Sequence, residues 1–458
     1  MVRINLVLLL ASTALANETP SANDAAQLVG GALTDGRAFA TTRSLTDGVG
    51  ARMAGTPGAD RAVEWALAEM KRAGFANVRR EPVKVARWIR GDASVELIAP
   101  RATPLHAVAL GPSVATPANG ITAEVVEVAS FEEVRALGDK AKGKIVLFNR
   151  AMERSSGFSE YGRVVPLRGG GAVEAAKVGA VAALVRSVGT GAYRLPHTGA
   201  MRYDPAVARI PFAAVAAEDA DLIHRLLAAG PVKLRVRLGC RTDGEAQSAN
   251  VVGEVVGRER PDEIVLLGAH LDSWDLGDGA LDDGAGVGVV IEAARLLRES
   301  PTPPRRTVRV VLFMNEERGL DGAKAYAADH ASELANHVAA LEVDSGAGRP
   351  LGFVVAGAAP SIALVQSLAA PLAPLRAAAV SATPEAGADL IPLQAKGVPV
   401  VGLSQELAAY FDWHHTAADT LDKIDPLDLA LDAAAVAVLA RGLADSPERL
   451  PPSPPPPH

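Results

Sequence analysis

Between residues 248 and 405 the chain alternates short apolar runs with stretches of helical period. Residues 264–268, 308–313, 341–343 and 398–403 are short runs dominated by apolar residues. Such runs, bounded by turns, predict strands buried on both faces. Between the first two, Val287, Val290, Ile291, Ala294 and Leu297 recur three or four positions apart. That is the period of one helix face, and it predicts a helix over 286–297. Apolar strands alternating with helices predict an α/β fold: a mostly parallel mixed sheet sandwiched by helices.

The pattern upstream differs. Residues 61–73 have helical spacing, with Val63, Trp65, Leu67 and Met70 on or near one face and Gly74 placed to end the helix. Residues 77–85 and 93–98 read as strands. From 115 to 241 the texture changes to short strands at 125–128, 144–148, 180–185 and 233–238, with helices at 170–179 and 218–229 between them. This predicts an inserted α/β module, and no catalytic set is visible in it. Residues 17–36 are small and polar and read as a loosely held leader. From residue 451 the chain is nearly all proline, which predicts an extended, disordered appendage within a tail at 446–458.

The N-terminus begins Met1-Val2-Arg3, continues through a mostly apolar stretch at 4–10, and reaches Ala14-Leu15-Ala16. A basic start, a short apolar core and a small-x-small end predict a secretory signal over 1–16 and a secreted or periplasmic protein. The apolar stretch falls well short of the ~20 residues a bilayer span needs. No later segment qualifies, so no membrane span is expected in the mature chain.

Composition narrows the classes. With 458 residues, 49% of them hydrophobic and 22% charged, a sizeable core is possible. A net charge of −7 leaves no basic footprint for nucleic acid, and 4% aromatics offers little for base stacking. Cys240 is the only cysteine, so no disulfide forms within the chain, and it reads as a small core residue.

The chemistry sits beside the predicted strand ends. His270 and Asp272 follow the first apolar run. Asp282 and Asp283 lie in a glycine-rich turn at 279–286. Glu316 and Glu317 follow the second run, Asp344 follows the third, and His414-His415 come late. In an open parallel sheet, binding residues gather at the carboxyl ends of the strands, so these islands are expected to converge. Imidazole and carboxylate ligands without thiolates suit zinc in a hydrolase, although cobalt and manganese also accept them. Asp282 is placed to bridge two ions, each then taking one further carboxylate and one His. Glu316 is expected to be the base that deprotonates a water held between the ions and returns the proton to the leaving amine. Asp272 is expected to orient His270, and Asp419 to do the same near His415.

These islands, in this order, resemble the co-catalytic di-zinc aminopeptidase and carboxypeptidase superfamily. The likeness runs from about residue 37 to 445. It includes Glu81-Pro82-Val83, Trp88, Arg90-Gly91, residues 171–177, Pro196-His197-Thr198-Gly199, residues 268–275 and residues 410–416. The resemblance implies two zinc ions per chain: His270, Asp282 and Asp344 around one, and Asp282, Glu317 and His415 around the other, with Glu316 as general base. It implies a zinc exopeptidase fold in which 17–114 and 242–445 form the peptidase domain and 115–241 a protease-associated domain. It further implies hydrolysis of dipeptides or short peptides with free ends, and a homodimer. His414, Asp389 and Tyr410 are expected to touch substrate. Two alternatives remain open at this point: an aminopeptidase acting on longer peptides, and a peptide-binding protein without turnover on the same scaffold.

Overall fold

The computed structural model describes residues 22–457, and its strands fall into two sheets. The expected signal segment 1–16 lies outside the described residues. In chain order, β1 (Ala76–Ile89) enters the first sheet. Strands β2 (Ala93–Ala99), β3 (Thr103–Leu105), β4 (Ala107–Ala109), β5 (Ile121–Val128), β6 (Ile145–Phe148), β7 (Ala182–Arg186), β8 (Phe212–Val215) and β9 (Lys233–Leu238) build the second. Strands β10 (Arg241–Val255), β11 (Arg260–His270), β12 (Arg306–Phe313), β13 (His337–Glu342), β14 (Pro350–Ala356), β15 (Ala379–Ala382) and β16 (Val400–Gln405) return to the first.

The first sheet runs β1-β10-β12-β11-β13-β16-β14-β15. Its centre, β12-β11-β13-β16, is parallel, while β10 and β14 join it antiparallel. The four apolar runs in the sequence are these central strands. Their side chains alternate between two cores. Val265, Leu267, Val308, Val310 and Leu312 face the helices Ala285–Glu299 and Pro426–Asp445. Ile264, Leu266, Val311 and Phe313 face Tyr326 and Leu393 on the other side. A strand covered on both faces has no polar face to show, which is why the runs are unbroken.

The second sheet starts earlier than the expected module boundary at 115. Strands β2 to β4 all precede residue 115, so this sheet spans 93–238. Cys240 packs with Trp88 and Trp274 in the core beneath it.

Two expectations about the ends are corrected. The leader contains the helix Ala22–Asp35, and Ala25, Leu28 and Ala32 are buried against the same core as Pro426–Asp445. Small alanines at helical spacing carry too little hydrophobic contrast to reveal this in sequence. The proline tail is extended but not a loose appendage. Leu450 and Ser453 are buried. Ser453 Oγ accepts the Val400 N–H at 3.0 Å and donates to the Ala356 carbonyl, and Gln394 Nε2 donates to the Pro454 carbonyl at 2.9 Å. Ser453→Ala leaves the buried Val400 N–H without this acceptor, so we expect it to cost about 1–3 kcal/mol. A denaturant titration reads this directly, and an unchanged midpoint would contradict the anchoring role.

Candidate metal centre

The strands β11, β12, β13 and β16 end along one edge, and each delivers part of the site. His270 closes β11, Glu316 and Glu317 follow β12, Asp344 follows β13, and His414 and His415 follow the short helix Tyr410–Trp413 beyond β16. Asp282 sits on the loop before the helix Ala285–Glu299. That loop is held from below. The Leu281 and Asp282 N–H groups donate to the Asp419 carboxylate at 2.6 and 3.2 Å. The buried Arg52 guanidinium donates to the carbonyls of Leu271, Asp278 and Gly279 at 2.6–2.8 Å. Asp283 accepts the N–H groups of His270 and Gly286, both at 3.0 Å. Gly286 allows this close approach, because a Cβ there would lie 2.1 Å from the Val343 carbonyl oxygen.

Asp282 is the hub. Its Oδ1 lies 3.0 Å from His270 Nε2, and its Oδ2 lies 3.1 Å from His415 Nε2. Asp344 Oδ1 is 3.5 Å from His270 Nε2, and Glu317 Oε2 is 3.1 Å from His415 Nε2. All five residues expected as ligands therefore meet. His414 joins them, with Nε2 3.5 Å from Asp282 Oδ2 and its ring stacked on His415 at 3.6 Å between centroids. Two sets of ligand atoms lie close enough to hold an ion: His270, Asp282 and Asp344, and Asp282, His414 and His415. The second set brings in His414, so Glu317 and His414 both stand beside His415.

The orienting partners differ from expectation. His270 Nδ1 meets the Asp272 backbone carbonyl at 3.0 Å, whereas the nearest carboxylate oxygen is 3.9 Å away. The Asp272 carboxylate instead accepts the N–H groups of Asn315 at 2.6 Å and Glu316 at 3.1 Å. It thus fixes the turn that carries the glutamate pair, where Asn315 has a left-handed φ of 67°. Asp419 does not reach His415, because it is committed to the Asp282 loop. His415 Nδ1 meets the Thr198 carbonyl at 3.2 Å, from the segment between β7 and β8. The module in which the sequence shows no catalytic set thus touches the site.

A cleft of about 640 Å³ opens over the site. Glu316, His414 and Tyr410 line it, together with Arg168 from the helix Ser159–Lys177. Asp389 does not. It is fully buried, its N–H donates to Glu342 at 3.3 Å, and Ala388 lines the cleft in its place. The substrate contact expected of Asp389 is therefore corrected to a position behind the cleft wall.

The electrostatics are those of a buried, acid-rich site. Burial would push the Asp282 carboxyl up, but His270 and His415 outweigh it and hold it well below the usual carboxylate range. Burial would lower His415, but Glu317 and Asp282 raise it to about 9. His270 is likewise raised against burial by Asp344 and Asp282. Burial raises Glu316, with Asp344 and Glu317 adding to it and His270 opposing. Glu317 and Asp344 are also raised, chiefly by burial and then by Asp282 among their acidic neighbours. His414 goes the other way, lowered well below 6.5 by burial and by His415.

These residues fit divalent metal. Glu317 Oε1 is buried without a hydrogen-bond partner among the described residues, and Asp282 Oδ2, though 3.1 Å from His415 Nε2, has no well-aligned one. Buried acids that repel one another gain most from a dication placed among them. Oxygen and imidazole donors without sulfur suit zinc and its first-row neighbours.

Residues 250–440 match the family model described as Peptidase family M28. Carboxypeptidase Q of Homo sapiens is 36% identical over 416 residues, covering 91% of this chain and 87% of that protein. A crystal structure of a peptidase M28 precursor from Shewanella amazonensis SB2B is 42% identical. It covers 95% of this chain and 99% of its own, with a TM-score of 0.92. A zinc aminopeptidase from Bacillus subtilis shares the fold at 20% identity, with a TM-score of 0.67 over 92% of this chain and 98% of its own.

Proposed function

The chain belongs to peptidase family M28 and is a metallopeptidase, and on that premise we propose that it is a two-zinc exopeptidase of dipeptides and short peptides. The observation that carries this reading is the position of Asp282, with one carboxylate oxygen toward each of two imidazoles. His270, Asp282 and Asp344 would hold one zinc, and Asp282, Glu317 and His415 the other. Bound zinc would supply Lewis-acid polarisation of the scissile carbonyl and acidify the attacking water.

The remaining roles belong to the chain itself. Glu316 faces the cleft on a turn fixed by Asp272, so its carboxylate is placed to take a proton from the attacking water. It then carries that proton to the departing amine. His414, whose pKa burial and His415 lower, faces the cleft and is suited to a hydrogen bond with substrate, and Tyr410 forms part of the wall. Arg168 is buried, donates to the Tyr161 hydroxyl at 2.8 Å, and keeps its Nε without a partner among the described residues. That Nε is shut away from solvent, so what Arg168 offers in the cleft is the positive charge of its guanidinium, which suits a free peptide carboxylate.

Arg168→Gln should raise KM for free dipeptides about ten- to a hundredfold, the worth of a charge-assisted hydrogen bond. C-terminally amidated dipeptides should be much less affected. Equal loss on both substrates would contradict carboxylate recognition. A second reading, hydrolysis of longer peptides from the amino end, is favoured by one observation. A side cavity of about 610 Å³ shares Arg168, Ala200 and Arg202 with the cleft and leaves room for more chain. Peptide length separates the two: from a dipeptide to longer peptides with the same amino-terminal residue, turnover should fall steeply under the first reading and hold under the second, whereas N-acetylated dipeptides set only a carboxypeptidase apart from both.

Secretion through residues 1–16, homodimerisation, and a protease-associated identity for the second-sheet module complete the proposal. Among the described residues, no helix is long and apolar enough to cross a membrane.

A further inference from the structure

One junction between the module built on the second sheet and the metal site runs through Thr198. Thr198 pairs with His415 twice: its N–H donates to the His415 carbonyl at 2.9 Å, and its own carbonyl faces His415 Nδ1 at 3.2 Å. The other ring nitrogen, Nε2, points at Asp282 and Glu317. A histidine that binds metal through Nε2 as a neutral ring carries its proton on Nδ1, and the acceptor opposite Nδ1 fixes both tautomer and ring orientation. Arg168 Nη1 also stands 3.3 Å from Nδ1 and 3.4 Å from the Thr198 carbonyl, but a guanidinium only donates, so the acceptor for an Nδ1 proton is Thr198.

Thr198 is itself held. Arg90 Nη1 donates to Thr198 Oγ1 at 2.8 Å and also to the Ala109 carbonyl, while Arg90 Nε donates to Asp275 at 2.9 Å. The guanidinium is buried and lies 5.0 Å from the Trp88 ring centroid and 5.2 Å from that of Trp274. The Trp274 ring in turn stands edge-on to His415 at 5.8 Å. One cation therefore ties together the end of β1, the second sheet through Ala109, the Thr198 segment, and the loop after His270.

We propose that Arg90 is a positioning residue: through Thr198 it fixes the Nδ1–H tautomer and orientation of His415, so the second-sheet module sets the affinity of one of the two metal sites. This rests on the two-zinc reading above. It gives a role to Trp88, Arg90, Trp274 and the Pro196–Gly199 stretch, none of which coordinates metal or lines the cleft.

The test is calorimetric titration of Zn²⁺ into the metal-stripped mature protein and its variants. The wild type should take up two ions. Arg90→Ala should weaken one site about ten- to a hundredfold and leave the other within twofold, with the weakened site being the one that His415→Ala abolishes. Arg90→Lys keeps the charge beside Asp275 but cannot reach all three partners, so it should recover part of the loss. Thr198→Val, nearly isosteric, removes the hydroxyl that Arg90 grips and should weaken the same site by a smaller factor, which keeps the inference testable if Arg90→Ala fails to fold. Both sites unchanged in these variants would overturn the inference, and so would equal weakening of both. A wild type that binds fewer than two ions would instead fail at the first titration, removing the two-zinc reading and this inference with it.

Discussion

Glu316→Gln is expected to lower turnover of a free dipeptide about 10²- to 10⁴-fold, while the protein still folds and still takes up zinc. The substitution keeps the volume and removes only the proton acceptor. Glu316 belongs to neither close ligand set, and its position comes from its backbone, whose N–H is held by Asp272 at 3.1 Å. The side chain faces the cleft. KM should change little, because a base that acts on the attacking water contributes to the transition state rather than to ground-state binding. Steady-state kinetics with parallel zinc analysis decides this. Near-normal turnover with zinc retained would remove Glu316 as the base, and loss of zinc would mean that it acts as a ligand.

Asp282→Asn is expected to abolish measurable activity and cut zinc uptake from two ions per chain to one or none. The two carboxylate oxygens face different imidazoles, so neutralising this one group weakens both ion positions together. Among the described residues, no other carboxylate stands between the two imidazoles: Asp344 approaches His270 and Glu317 approaches His415. The metal-free protein should respond as well. Asp282 is ionised well below its ordinary range in the fold, so its charge stabilises the native state above the usual carboxylate pKa, and that contribution fades as pH falls through the depressed value. The Asn variant lacks that acid-labile contribution, and His270 and His415 each lose one of the carboxylates that raise their pKa, keeping Asp344 and Glu317 respectively. Acid unfolding of the two metal-free proteins compared side by side reads this. Retention of two zinc ions by the variant would contradict the bridging role.

That the five residues expected as ligands would meet was legible in sequence for a physical reason. His270, Glu317 and Asp344 follow strands that are buried on both faces, so the apolar runs mark where each strand ends and the next few residues inherit the site. The peptidase core was legible for the same reason. What sequence could not show is what holds those ligands. Thr198 lies 217 residues before His415, and Arg168 lies 247 before it. Such contacts leave no local pattern. Asp272 was read as the partner of the His270 ring because it lies two positions away, but its backbone carbonyl reaches that ring while its carboxylate binds the following strand's turn. Asp419 was misplaced by the same reasoning from proximity in sequence. Arg52, buried under the Asp282 loop and bonded to three carbonyls, had no signal at all, because a lone arginine is ordinarily a surface residue.

The measurement that bears most directly on the central claim is dipeptide hydrolysis by metal-stripped protein as zinc is added back in known equivalents. The account predicts no turnover without metal and a rise that saturates at two equivalents per chain. Full activity at one equivalent, or turnover that survives complete removal of metal, would contradict a two-metal site bridged by Asp282.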